Sequence, residues 1–151
     1  MWITKKTDYA TRAVLALAIS HRDHQAVNVP DLAARVAVPA AFLQQIMSQL
    51  REAGIVRSER GPSGGYRLNH PPAEISLERI VRLFQGPLAP IACATRTNPE
   101  PCAMESGCAL QQVWSEVRDR TIEILESTDF AVLASRSTGP WTEAPAPAPR
   151  R

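Results

Sequence analysis

Leu43, Ile46, Met47 and Leu50 recur at i, i+3, i+4 and i+7, the spacing of one buried helix face, and Gly54 supplies a natural C-terminal stop. Two short β-prone runs follow at once, Ile55 to Arg60 and Tyr66 to Leu68, with Gly61-Pro62-Ser63-Gly64-Gly65 between them. A Gly/Pro-rich turn between such runs predicts a hairpin. Upstream, Asn28-Val29-Pro30-Asp31 has a capping Asn and an early Pro and Asp. It predicts a short second helix to about Val36, with the third starting at Pro39. Two helices joined by a tight turn and followed by a hairpin point to a mainly α chain with a small β-hairpin wing, the winged helix-turn-helix.

The flanking segments extend that plan. Thr7 reads as the N-cap of a first helix with Ala10, Ala13, Val14, Leu17 and Ala18 on one face. Ser76 caps a fourth, with Leu77, Ile80, Val81 and Phe84 inward and Gly86-Pro87 at its end. Residues 87–107 have little periodicity and carry four prolines. From about Ser106 a long helix is expected, with Leu110, Val113, Trp114, Val117, Thr121 and Ile124 along one side. Asp129 to Ala134 forms a last short turn. Such a stripe is too long for a small monomer to hide, so two copies are expected to pair along it. The expected organisation is a winged-helix domain at 1–86, a cysteine-bearing loop at 87–108, a dimerisation helix at 109–134 and a disordered Pro-Ala-rich tail at 135–151.

Composition adds a direction. The chain has 151 residues and a net charge of +2, but residues 1–85 carry 11 Lys+Arg against 7 Asp+Glu while residues 86–135 carry 3 against 7. A basic N-terminal part on an acidic one suits contact with a polyanion at one end only; ordinary surface variation is the alternative. The longest apolar run, Ala13 to Ile19, is too short to cross a bilayer, and no signal peptide opens the chain. The expected compartment is the cytoplasm, where three cysteines do not form a disulfide framework. No catalytic signature surrounds any Cys, and no phosphate-binding loop opens a helix after a strand, so an enzyme is not expected.

On the third helix the face opposite the apolar stripe carries Ala41, Gln44, Gln45 and Ser48. Gln pairs in bidentate fashion with the edge of adenine, and small residues let a helix sit deep in the major groove. A solvated helix face would look the same. The hairpin shifts the balance, because Arg57, Arg60 and Arg67 surround a turn containing Gly61, Ser63 and Gly64, whose bare backbone can approach a phosphate or the minor groove. Double-stranded DNA is the expected partner.

Cys93-x8-Cys102-x5-Cys108 ends at the start of the long helix and lacks the close Cys pair usual for zinc. The wider spacing suits an iron–sulfur cluster; three unrelated buried cysteines are the alternative. A fourth ligand is missing. His21, His24 and His70 all lie in the DNA-reading half, and Asp8, in the first turn of its helix, is accounted for by the helix dipole. A rival keeps the fold but makes it a zinc-bound or metal-free thiol redox regulator.

Ile3-Thr4-Lys5-Lys6-Thr7-Asp8-Tyr9-Ala10, Leu50-Arg51-Glu52-Ala53-Gly54-Ile55-Val56, Arg60-Gly61-Pro62-Ser63-Gly64-Gly65-Tyr66-Arg67-Leu68, the three cysteines and Val113-Trp114 occur in that order. Over about residues 1–134 the chain resembles the bacterial family of iron–sulfur winged-helix regulators that includes IscR, NsrR and RirA. The resemblance implies a homodimer joined through the long helix, a palindromic operator, and a 4Fe–4S or 2Fe–2S cluster whose assembly, oxidation, nitrosylation or loss changes DNA binding. By position, Gln44 and Gln45 match recognition-helix residues, Arg60 with its glycines matches the wing, and Cys93, Cys102 and Cys108 match the cluster cysteines. Asp8 matches the fourth ligand of the NsrR type, donated by the partner subunit. Two departures stand out: the eight-residue first cysteine gap is longer than in IscR and NsrR, and Gln111 replaces the His ligand of the IscR type.

Overall fold

The computed structural model describes residues 3–23, 25–62, 64–138 and 141. Among the described residues six α-helices and one hairpin follow in order: α1 Lys5–Ser20, α2 Val29–Val36, α3 Ala40–Glu52, β1 Val56–Glu59, β2 Gly65–Leu68, α4 Leu77–Gln85, α5 Ala109–Glu126 and α6 Phe130–Arg136. Ala10, Ala13, Val14 and Leu17 of α1 are wholly or almost wholly buried, so the neighbouring helices α2, α3, α4 and α6 close around it. Small Ala side chains permit that close approach. The core continues through Leu32, Leu43, Ile46, Met47, Leu50, Ile55 and Ile80.

Local chemistry accounts for the element ends. The Asn28 side chain accepts from Asp31 N at 2.9 Å, and the Ser76 hydroxyl accepts from Arg79 N at 3.2 Å. α1 begins earlier than its sequence suggests. Its N-cap is Thr4, whose hydroxyl accepts from Thr7 N at 3.2 Å. Thr7 lies inside the helix, fully buried, and donates its hydroxyl to Gln85 Oε1 at 3.0 Å. α2 ends at Ala37 in the left-handed region, φ 54°, a conformation that lets the chain turn sharply into α3.

The hairpin pairs Val56 with Leu68, Arg57 with Arg67, Ser58 with Tyr66 and Glu59 with Gly65. A third stretch joins it: Val27 N donates to Tyr66 O at 2.9 Å, and Tyr66 N donates to Val27 O at 2.8 Å. Gly65 is required for this docking, since a Cβ there would stand 2.3 Å from the Val27 carbonyl oxygen.

α5 starts at Ala109, not near Ser106, because Gly107 takes a positive φ of 78° and Cys108 serves as the N-cap. It is about 27 Å long at 1.5 Å per residue. One side carries Ile122 against Val81 and Leu88; the other bears Leu110, Val113, Trp114, Val117 and Ile124 exposed, with Thr121 half-buried between them. The chain then returns to the N-terminal half. Asp129 caps α6 by accepting from Val132 N at 2.8 Å, and Phe130 is fully buried against the main core. Residues 129–134 thus pack with the winged-helix core instead of extending the long helix. Ser135 and Arg136 still belong to α6, so the expected tail starts no earlier than residue 137, and 142–151 lie outside the described residues.

Candidate functional site

Two surfaces carry the chemistry. On the first, α3 turns its buried face, Leu43, Ile46, Met47 and Leu50, into the core and leaves Ala41, Gln44 and Gln45 exposed. Ser48 is half-buried. Gln44 Nε2 donates to the Tyr66 hydroxyl at 3.2 Å, which ties the exposed helix face to the wing. Gln45 is exposed.

On the wing, Arg57, Arg60 and Gly61 are exposed. Arg67 is half-buried and its guanidinium is paired with Glu59 across the hairpin at 2.5 Å, so its charge is partly neutralised. Gly64 is also half-buried, and a Cβ there would stand 2.5 Å from the Glu59 carbonyl oxygen, which makes this glycine part of the turn's own packing. Ser63 lies outside the described residues, as does His24.

The second surface is the loop between α4 and α5. Cys93 sits in a 3₁₀ turn, Ala92–Ala94, and is half-buried; Cys102 is exposed; Cys108 is half-buried at the α5 N-cap. Partial burial pushes the Cys93 thiol above its ordinary value, and the nearby Cys102, Glu105 and Cys108 push it further by charge repulsion. The three thiols therefore share one electrostatic neighbourhood. They do not form a closed cage: among the described residues no three His, Cys, Asp or Glu side chains converge on a metal position. The donor chemistry nonetheless suits a thiophilic metal group, because a cation placed among the three thiolates would relieve their mutual repulsion.

Asp8 is elsewhere. Its carboxylate accepts from Arg12 Nε at 3.0 Å and pairs with Arg12 Nη2 at 2.7 Å, at the mouth of a groove of about 470 Å³ lined also by Leu77, Leu133 and Trp141. Among the described residues Asp8 and the cysteines do not meet at a common metal position.

The sequence reading missed a set of attachments around Cys93. Arg118, only 12% exposed, donates from Nη1 to the Ala94 carbonyl and from Nε to Asp119 Oδ1 at 2.7 Å. Arg96, three residues after Cys93, pairs with the same Asp119 oxygen at 2.9 Å. The Asp119 carboxyl is held below the ordinary range, first by the Arg118 hydrogen bond. Gln111 Nε2 donates to Glu105 Oε1 at 3.0 Å and makes a longer contact, 3.5 Å, with the Cys93 carbonyl. Gln111 and Arg118 sit at ordinary helix spacing and carry no sign in the sequence of the loop carbonyls they reach, 18 and 24 residues away.

Among the described residues no helix is long and apolar enough to cross a membrane. The family model described as "Rrf2: Iron-dependent Transcriptional regulator" matches residues 3–136. An rrf2-like HTH-type transcriptional regulator of Rhodobacter capsulatus is 40% identical over 120 residues, covering 76% of this chain and 80% of that protein. The HTH-type transcriptional regulator IscR of Aliivibrio salmonicida is 30% identical over 133 residues, covering 88% and 77%. The solved structure of CymR, the global cysteine regulator of B. subtilis, superimposes with a TM-score of 0.79 at 30% identity, covering 91% of this chain and 99% of that one. The relatives are transcriptional regulators, a class without enzymatic activity. The chain belongs to the Rrf2 family of DNA-binding transcriptional regulators.

Proposed function

We propose that the protein is a homodimeric regulator, a repressor at a palindromic operator, whose DNA affinity is set by an iron–sulfur cluster on Cys93, Cys102 and Cys108. The observation that carries this reading is the placement of three free cysteines on one loop at the foot of α5, with Cys108 as the N-cap of that helix. A bound cluster would supply a redox- and ligand-sensitive group there. In this reading Asp8 of the partner subunit completes the ligand set, after exchanging Arg12 for the metal. The exposed stripe of α5 makes the dimer, and residues 1–86 form the DNA-reading unit, with Ala41, Gln44, Gln45 and Ser48 in the major groove. Arg57, Arg60, Gly61, Ser63, Gly64 and Arg67 follow the backbone or minor groove.

The alternative regulator uses the same thiols without a cluster, either bound to zinc or cycling between thiol and disulfide. Likeness to CymR, the global cysteine regulator of B. subtilis, and the open arrangement of the thiols favour it. An absorption spectrum of anaerobically purified protein, with iron and sulfide assays, separates the two. Brown protein with both elements is the expected result, and it should disappear when any of the three cysteines becomes Ser. Colourless protein with stoichiometric zinc, or with no metal, overturns the cluster.

A further inference from the structure

We propose that Arg118 is the positioning residue for Cys93: it fastens the Cys93-bearing turn to α5 and so brings the first thiol to the other two. The three cysteines are held in two different ways. Cys102 and Cys108 are connected by consecutive local turns, since Glu105 N donates to the Cys102 carbonyl at 3.0 Å and Cys108 N donates to the Glu105 carbonyl at 3.2 Å. Cys108 is also the α5 N-cap, so these two thiols belong to one local frame.

Cys93 has no comparable link to that frame through the chain. Residues 96–101 between it and Cys102 are exposed and contribute no backbone hydrogen bonds to it. Its place is fixed from the side. Arg118 donates to the carbonyl of Ala94, the residue after Cys93, and that Ala is almost fully buried. A guanidinium under a loop is costly to bury unless its donors are satisfied. Here Asp119 neutralises it, and Arg96 brings the far end of the turn to the same carboxylate. The planar guanidinium serves a carbonyl and a carboxylate at once, a task suited to its fixed fork of donors. Gln111 adds a weaker second point, reaching from Glu105 in the Cys102–Cys108 frame toward the Cys93 carbonyl.

The consequence is directional. Cys93 is registered on the middle of α5, one helical turn beyond the exposed Val113 and Trp114, while Cys102 and Cys108 are registered on the helix start. Anything that draws the three thiols together pulls on the helix at two levels through Arg118. This role rests on the reading that the thiols bind a common metal group, but the clamp itself is measurable without one.

The test is the alkylation rate of each cysteine in metal-free, full-length protein, followed by peptide mass spectrometry, for wild type, Arg118→Met and Arg118→Lys. Met keeps much of the apolar stem and removes the donors; Lys keeps a charge and a donor. In Arg118→Met, Cys93 should react on the order of ten-fold faster while Cys102 is unchanged. Arg118→Lys should recover most of the slow rate. Unchanged Cys93 reactivity in Arg118→Met overturns the proposal, and so does equal acceleration at all three cysteines, which is general loosening. Iron and sulfide content of the anaerobically purified wild type tests the cluster separately, so a protein with no cluster and a protected Cys93 would sink that reading and leave the clamp standing.

Discussion

At the scale of single residues, backbone proximity decides more than side-chain character. Gly65 carries no chemistry, yet it lets the hairpin pair with Val27. Gly65→Ala forces that contact apart or strains it, and urea denaturation should show a loss of about 1–3 kcal/mol, the usual range for overpacking. A stability equal to wild type would mean that Val27 does not hold the wing. Thr4 and Thr7 show why the helix start was misplaced in the sequence. Both are good caps, three residues apart, and only the long-range bond from Thr7 to Gln85 reveals that Thr7 is interior. Asp8 was legible as a first-turn carboxylate; its engagement with Arg12 follows from i, i+4 spacing that the sequence already contains.

At the scale of elements, α2, α3, α4 and the hairpin are legible because each is bounded by local signals: Asn28, Pro39, Ser76, Gly54 and the Gly/Pro turn. α6 is legible as a short turn after Asp129, but its place in the molecule is not, because Phe130 is positioned by contacts with α1 and Ile75 far away in the sequence. The reading helix yields a sharp comparison. Gln45→Ala should weaken cognate binding by about 1–3 kcal/mol and relax base preference, since its amide is exposed and free to meet a base edge. Gln44→Ala should do the same and in addition release Tyr66, so wing position changes with it. Arg57→Ala should weaken cognate and random duplex alike and lower the salt dependence, whereas Arg67→Ala should have a smaller effect because Glu59 already shares its charge. Fluorescence anisotropy against both duplexes at several salt concentrations reads these differences; unchanged cognate-to-random ratios for both Gln variants would remove α3 from base recognition.

At the scale of the whole molecule, the account joins an exposed apolar helix, a loop of three thiols at its N-terminus and a reading head packed beside it. Val113 is 56% exposed in the single chain. Val113→Glu should therefore leave the fold intact and turn a dimer into a monomer in sedimentation at micromolar concentration, while a wild-type chain that sediments as a monomer contradicts pairing along α5. The thiol loop was legible as a metal-binding candidate from its spacing; what the sequence withheld is that Cys93 and the Cys102–Cys108 pair are attached to different parts of α5 and that Asp8 is engaged by Arg12 in the same chain. The central claim is that cluster state controls DNA affinity, with Asp8 as the link between subunits. It is tested by operator affinity of holo and apo protein at one fixed salt concentration, for wild type and Asp8→Ala. The account predicts affinities that differ on the order of ten-fold or more in wild type, a common size for coupling between sites, and a ratio near one in Asp8→Ala with cluster still bound. Equal holo and apo affinities in wild type would contradict it.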